Sequence, residues 1–390
     1  MSTIKFRASN FRVIQQLNWE LDAGLYLLAG SNGTGKSTCL DMMLFLRTLL
    51  EWGHEAAFLT LGGASYFRRL GIAEIETVDF EVSVGKITWK LRFPMSNTGL
   101  KGIFAEELVI NGKTVLKADL YKEVWQNNSL TLPLDEKRCC TKVLLDKGGK
   151  EESRIKPLYL ALSNISIYKA FWLNQVQNPD STSSSVNYLH RTGKNLWSVL
   201  AAWKNAPLRF GGQFDWVLSE AKKAFPGLIE TIEFERGQAF IFPPGFTDPA
   251  DGLPPVRAAD GLLTGLLQLT AVASAKKGTI VAFYEMENQL HPHAIRSILS
   301  AMRQIAKERE LKIILTTHSP IVMNEFRDAP DHFFVMQSGE DSFPVPLTSL
   351  HDEDWLAAFS LGDLYDRLDF AAPPLTSTAL VTAEPSLTKG

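Results

Sequence analysis

The stretch from Gly30 to Thr38 constrains the fold of this chain more than any other. It reads Gly30-Ser31-Asn32-Gly33-Thr34-Gly35-Lys36-Ser37-Thr38, the pattern GxxxxGK followed by Ser or Thr. Glycines reach backbone angles closed to other residues, so such a loop can turn its N–H groups inward around an anion. The apolar run Leu25-Tyr26-Leu27-Leu28 reads as a strand entering the loop, and a helix from Ser37 to about Trp52 leaves it. That helix points its positive end at the same anion. Lys36 is placed to reach the β- and γ-phosphates of a nucleotide, and the Ser37 hydroxyl to hold Mg²⁺. The reading is an ATP and Mg²⁺ site in an α/β P-loop fold.

A second constellation lies far along the chain. Thr279-Ile280-Val281-Ala282-Phe283-Tyr284-Glu285-Met286-Glu287 is an apolar strand that ends in carboxylates. In a P-loop fold such a strand runs beside the phosphate loop, and an acid at its end can orient a water or hold Mg²⁺. Glu285 is the better placed of the two to polarise the attacking water. Asn288-Gln289-Leu290-His291-Pro292 follows, then a helix, a second apolar strand and Thr316-Thr317-His318-Ser319-Pro320. His318, just after that strand, is a candidate sensor of a γ-phosphate.

The remaining elements are coarser. Ile4–Phe6 and Leu25–Leu28 read as strands flanking a turn, and residues 78–84 and 87–93 alternate as a hairpin around Gly85-Lys86. Residues 108–115 form a second hairpin around Asn111-Gly112. Helical periodicity marks 195–204, 214–224, 262–273 and 293–308, with strands at 279–284 and 312–315. Asn178 to Ser185 and Pro243 to Pro255 read as loops, and the tail after Phe370 as disordered. The division that follows is 1–117 (phosphate loop and β-hairpin lobe), 118–250 (mostly helical lobe), 251–370 (second half of the site) and 371–390 (tail).

Composition narrows the function classes. A net charge of −3 gives no support for wrapping duplex DNA over the whole surface. Three cysteines, Cys39, Cys139 and Cys140, show no CxxC spacing, which argues against a disulfide framework. Together with the lack of a signal-like N-terminus, this points to a reducing cytoplasm. Nowhere is there an apolar run long enough to span a membrane. Trp172, Trp197, Trp203 and Trp216 read as core more readily than as base-stacking residues, and the pairs Arg68-Arg69, Lys137-Arg138 and Lys222-Lys223 as solvated surface. His291 and His293 flank Pro292. Metal ligation is conceivable there, and a contact loop is preferred.

Taken together, GSNGTGKST, EMENQLHP and TTHSP resemble the ABC-type ATPase heads of SMC, RecF and OLD (overcoming lysogenization defect) proteins. The nearest resemblance is to the stand-alone "AAA family ATPases" of bacterial anti-phage systems. Weaker likenesses come in the family's order. They are E-x-L in Phe104-Ala105-Glu106-Glu107-Leu108, the helix Gly193 to Leu200, the signature segment at Ala259-Asp260-Gly261, and F-x-L-G-x-L at Phe359 to Leu364.

The resemblance implies an ABC-type head with a mixed central sheet, an antiparallel β lobe and a helical lobe. It implies a homodimer or higher homo-oligomer in which two heads sandwich two nucleotides. Lys36 and Ser37 would bind phosphate and Mg²⁺, Glu285 would be the catalytic acid and His318 the switch histidine. Asp260 and Gly261 would complete the partner's site, and Arg12 would lie near the base. Two departures stand out: Tyr284 where the family has an acid, and Ala259 where it has the signature Ser. An alternative register makes Glu285 the Mg²⁺ acid and Glu287 catalytic, but the E-x-x-L-H-P spacing argues against it. No glutamine-loop residue is assignable. No heptad arm separates the two halves of the site, and the 70 residues after Pro320 are too few for a TOPRIM nuclease. The expected effector, a nuclease or toxin, is therefore a separate protein. RecF-like DNA binding and a nucleotide-stabilised scaffold are the alternatives.

Overall fold

The computed structural model describes residues 3–69, 77–96, 99–100, 104–118, 124–126, 129–130, 138–179, 186–246, 248–336, 344–350, 356 and 360–367. Strands β1 (Ile4–Phe11) and β2 (Ile14–Leu21) form a hairpin, and β3 (Gly24–Ala29) leads through the phosphate loop into α1 (Lys36–Trp52) and α2 (His54–Thr60). Then come β4 (Thr77–Val84), β5 (Ile87–Ser96), β6 (Gly99–Leu100), β7 (Ala105–Ile110), β8 (Lys113–Ala118), β9 (Val124–Gln126) and β10 (Ser129–Leu130). Helices α3 (Cys140–Lys147) and α4 (Lys150–Ser163) precede β11 (Ser166–Tyr168), α5 (Leu173–Gln177), α6 (Leu196–Asn205) and α7 (Pro207–Ala224). The hairpin β12 (Thr231–Glu235) and β13 (Gln238–Phe242) leads to α8 (Asp260–Ser274), β14 (Ile280–Phe283), α9 (Pro292–Glu308) and β15 (Lys312–Thr317). The last described elements are α10 (Pro320–Asn324), β16 (Phe333–Met336), β17 (Pro344–Pro346), α11 (Leu347–Leu350) and α12 (Leu361–Arg367).

The central sheet runs β11-β14-β15-β3-β16-β17. All pairs are parallel except the last, β16 with β17. Successive residues of a strand point to opposite faces, and here the alternation separates two cores. Leu25, Leu27 and Ala29 of β3, Val281 and Phe283 of β14, and Ile313 and Leu315 of β15 face a helical layer built on α6 to α9. Tyr26, Leu28, Ile280, Ala282 and Ile314 face α1 and a second sheet. That sheet is antiparallel, in the order β10-β9-β8-β7-β5-β4-β1-β2 with β6 on β5. Between the sheets α1 is buried nearly all round: Phe45 packs its ring 4.7–5.6 Å from those of Phe58, Phe67, Phe80 and Phe93.

Several expectations are corrected. Ile4 and Leu25 do not flank one turn: β1 and β3 belong to different sheets, and β2 lies between them. Two successive glutamines, Gln15 and Gln16, interrupt the alternation of β2, which runs cleanly only over its second half. Segment 118–250, expected to be mostly helical, carries α3 to α7 and also supplies β11 to the central sheet and the hairpin β12–β13. Residues 180–185, Phe359 and the tail after Phe370 lie outside the described residues.

The E-x-L segment has a structural job. Glu106 is 2% exposed. Its Oε1 accepts from Trp89 Nε1 at 2.8 Å and from the Thr141 N–H at 2.9 Å, and its Oε2 accepts from the Cys140 N–H at 2.6 Å. A strand carboxylate thus closes the open N–H groups at the start of α3. Glutamine at this position keeps the shape but offers one acceptor oxygen and sets an NH₂ against a donor. Glu106→Gln is expected to lower unfolding free energy by about 3 kcal/mol, read from urea denaturation; an unchanged midpoint would dismiss the cap.

Candidate functional site

β3 ends at Ala29 and the chain turns at Gly30, whose φ is +154°. A Cβ there would stand 2.7 Å from the Met336 carbonyl and 2.8 Å from Thr34 Oγ1, so only glycine fits. Thr34 Oγ1 donates to the Ser31 carbonyl at 2.9 Å and braces the loop. Gly35 stands at the start of α1, whose first turn has neither a side-chain cap nor an acidic residue. Its N–H groups are thus left for an external anion. Lys36 is buried and donates to the loop carbonyls of Gly30 at 2.6 Å and Ser31 at 2.9 Å. Burial lowers its amine to about 8, against the opposing charge of Glu285. Asn32, Gly33 and Ser37 are exposed at the mouth. A lysine folded onto its own loop, uncapped N–H groups and an open mouth fit a triphosphate, with the Ser37 hydroxyl available to Mg²⁺.

Two neighbouring strands deliver the other groups. Glu285 follows β14 with φ +44°, a left-handed geometry uncommon outside glycine. Its N–H donates to Thr316 Oγ1 at 3.1 Å, and its Oε2 accepts from Asn288 Nδ2 at 3.2 Å. The residue is exposed beside Lys36. Glu287 is differently engaged: its Oε1 accepts from Thr317 Oγ1 at 2.7 Å and from the His318 N–H at 3.1 Å. It ties the loop after β14 to the loop after β15. The His318 imidazole is partly buried, and burial followed by the Lys36 charge pushes it below its ordinary value.

Tyr284, the residue before Glu285, bonds to the phosphate-loop helix. Its hydroxyl reaches the Ser37 carbonyl at 3.2 Å and Asp41 Oδ1 at 3.3 Å. Asp41, one turn beyond Ser37 on α1, also accepts from Arg12 Nη1 at 2.5 Å and Lys169 Nζ at 2.6 Å. Lys169 lies 5.2 Å from the centre of the Tyr284 ring. Arg12, expected near the base, is pinned by Asp41 and by the Tyr66 and Leu61 carbonyls at 3.2 and 3.4 Å. Lys169 and Asp41 carry no sequence motif. Lys169 follows β11, three residues too short for a periodic signal, and Asp41 is one polar position in an apolar helix.

The signature segment begins α8. Ala259 stands at its N-cap without a side-chain bond. Asp260 Oδ1 accepts from Gln177 Nε2 at 2.8 Å. A Cβ on Gly261 would be 2.7 Å from the Gln289 carbonyl, so α8 starts in backbone contact with the loop that follows Glu285. Further along α8, Gln268 Nε2 donates to the Met286 carbonyl at 2.7 Å.

Other residues singled out in the sequence take quieter places. Trp197 and Trp203 are core, Trp216 packs against it, and Trp172 is exposed. Arg138, Lys222 and Lys223 pair with Asp146, Glu230 and Glu220; Lys137 lies outside the described residues. His291 caps α9 by accepting from the His293 N–H at 3.3 Å. Cys39, Cys139 and Cys140 are buried and in no disulfide. Among the described residues no His, Cys, Asp or Glu cluster is arranged to hold a metal by itself, and no helix is long and apolar enough to cross a membrane.

The architecture is a P-loop NTPase fold with mixed α/β sheets, an antiparallel β lobe and a helical lobe on a largely parallel sheet. A family model described as "AAA domain, putative AbiEii toxin, Type IV TA system" matches residues 173–324, which hold Asp260, Glu285 and His318 but not the phosphate loop. No curated protein matches the chain. Among solved structures, the chain is similar to an SmcHead bound to the C-winged helix domain of ScpA. That likeness has a TM-score of 0.46 and 14% identity and covers 83% of this chain and 92% of that one. It is also similar to the SMC head domain from Thermotoga maritima, with a TM-score of 0.41 and 12% identity over 89% of this chain and 99% of that one.

The Asp41 cluster generates its own test. Asp41 is 6% exposed, whereas the Lys169 side chain is 50% exposed and the Arg12 side chain 25%. Solvent screening leaves the Lys169 pair worth less than about 1 kcal/mol. Removing the carboxylate also strands the better buried Arg12. Asp41→Asn is expected to cost about 2 kcal/mol and Lys169→Met under about 1 kcal/mol in denaturant unfolding. Equal losses in the two variants would mean that Lys169, not Arg12, anchors the cluster.

Proposed function

We propose that this chain is an ATP-hydrolysing conformational switch, working in the cytoplasm as a homodimer that sandwiches two nucleotides. It holds or activates a separate effector protein, a nuclease or toxin, in anti-phage defence. The observation that carries the ATPase reading is the convergence of three loops at one end of adjacent parallel strands. Lys36 follows β3, His318 follows β15 and Glu285 follows β14. Open α/β sheets bind their ligands at this end. The dimer, the effector and the defence role rest on the resemblance. The wording of the matching family model, which names a putative toxin of a toxin–antitoxin system, is compatible with a paired effector.

In this reading Lys36 exchanges its loop carbonyls for the β- and γ-phosphates, and the N–H groups of the loop and of α1 surround the anion. Ser37 holds Mg²⁺, which neutralises charge on the phosphate oxygens when bound. Glu285 accepts a proton from the water attacking in line on the γ-phosphate. His318 contacts the γ-phosphate and reports its loss. Glu287 is already engaged with Thr317 and His318, which favours Glu285 as the base. Asp260 and Gly261 face the partner's nucleotide.

Tyr284 favours a second reading, a nucleotide-stabilised scaffold with little turnover, because its hydroxyl is spent on Ser37 and Asp41. A RecF-like role on DNA draws less support, since the described basic residues Arg138, Lys222 and Lys223 are each matched by an acid.

Turnover separates these readings. Wild type is expected to hydrolyse ATP. Glu285→Gln should bind without hydrolysis and gain mass with ATP, and Lys36→Ala should do neither. If wild type and Glu285→Gln both bind ATP without turnover, the scaffold reading replaces the switch.

A pH dependence follows from Lys36. Its amine, lowered to about 8 in the free chain, must be charged to meet phosphate, and binding raises its pKa. Its contribution to affinity is complete below that value and lost as pH rises through it. Above about pH 8 each further unit should weaken ATP binding by about tenfold in calorimetry, while Lys36→Arg stays flat.

A further inference from the structure

The segment Leu361-Gly362-Asp363-Leu364, part of the F-x-L-G-x-L pattern, has no role in the site described so far. It opens α12, and its two leucines are buried in the core on the helical side of the central sheet. A Cβ on Gly362 would stand 2.6 Å from Pro320 Cβ, so α12 and α10 meet backbone to side chain at van der Waals limits. The Gly362 N–H donates to Asn324 Oδ1 at 2.8 Å. This docking delivers Tyr365, from the end of the chain's described part, into the nucleotide site. Its hydroxyl stands 3.1 Å from His318 Nδ1 and 3.5 Å from the Gly30 carbonyl.

The two contacts are not equal. The Gly30 carbonyl already accepts from Lys36 Nζ at 2.6 Å. The imidazole contact is the shorter, and hydrogen bonds weaken steeply towards 3.5 Å. A neutral imidazole carries one proton, and partial burial beside the Lys36 ammonium favours the neutral ring. If the Tyr365 hydroxyl donates to Nδ1, the ring proton must sit on Nε2. Only then does neutral His318 present a donor, not a lone pair, to a phosphate oxygen. Which nitrogen carries the proton is set by what the other one meets.

We propose that Tyr365 is a positioning residue that holds His318 as its Nε2–H tautomer, so that a segment outside the sheet sets how the sensor histidine meets a γ-phosphate. The phosphate half of this inference rests on the ATPase reading above. The hydrogen bond to Nδ1 does not.

The test is a double-mutant cycle with a spectroscopic arm, on the full chain. Tyr365→Phe removes one oxygen and keeps the ring. It is expected to lower kcat about tenfold with ATP Kd within about twofold, and to add nothing further in a His318→Gln background. Wild-type turnover in Tyr365→Phe, or losses that multiply in the double variant, would overturn the assignment. The imidazole ¹⁵N spectrum of the nucleotide-free protein decides the rest, with His318 assigned by its loss in His318→Gln. Nδ1 should resonate as an unprotonated, hydrogen-bonded nitrogen in wild type and move in Tyr365→Phe. Identical spectra would overturn the proposal even where turnover changes. If wild type does not hydrolyse ATP at all, the ATPase reading fails while the spectra still decide the tautomer.

Discussion

Strand β15 is hydrogen-bonded in parallel register to β14 on one side and β3 on the other, and all the chemistry assigned to this chain depends on that register. Leu315 pairs with Phe283, and Thr317 with Ala29. Gly30, His318 and the Tyr284–Glu285 turn are therefore the next residues out of three adjacent strands. A slip of one residue in β15 would exchange every core-facing side chain for its neighbour. Ile313 and Leu315, which meet the helical layer, would trade places with Ile314, which meets α1. Burial on both faces thus fixes, to a single residue, where the three loops emerge.

Side chains then refine what the register brings together. The Glu287 carboxylate bonds across from the β14 loop to Thr317 and the His318 N–H, and Thr316 Oγ1 accepts from the Glu285 N–H. Each loop is held by the strand next door, which lets Glu285 sit in a left-handed conformation without help from glycine. The antiparallel sheet contributes indirectly. It buries the second side of α1, and through the β1–β2 turn it sends Arg12 to Asp41, one turn below the phosphate loop.

The sequence made the site easier to read than its surroundings. The phosphate loop, the strand ending at Glu285 and the strand ending at His318 are legible because each joins a strong periodic signal to unusual chemistry. Strand β2 is less legible because Gln15-Gln16 interrupts its alternation, and β11 because three residues carry no period. Glu106 looked like a family landmark, and its place under α3 shows it to be a cap made from a distant strand, 34 and 35 residues from the N–H groups it closes. Asp41, Lys169 and Tyr365 share one property: each acts through a partner remote in sequence, 128 residues away for the Asp41–Lys169 pair and 47 for Tyr365 and His318. Local propensity carries no information about such pairs.

Tyr284 and Ala259 lie at the two ends of one set of contacts. Ala259 gives α8 an uncapped start, and Gly261 lets that start touch the Gln289 backbone. Gln268, two turns on, grips the Met286 carbonyl. Thr264 Oγ1 donates to Gln289 Oε1 at 3.0 Å, so helix α8 is fastened at three points to the short segment that carries Glu285 and Glu287, and Glu287 is fastened to His318. In the proposed dimer the start of α8 faces the partner's nucleotide. A displacement there would reach this chain's own Glu285 and His318 through these direct contacts, with no need for a moving domain. Tyr284, bonded to Ser37 and Asp41 on α1, anchors the other end of the same segment to the phosphate-loop helix.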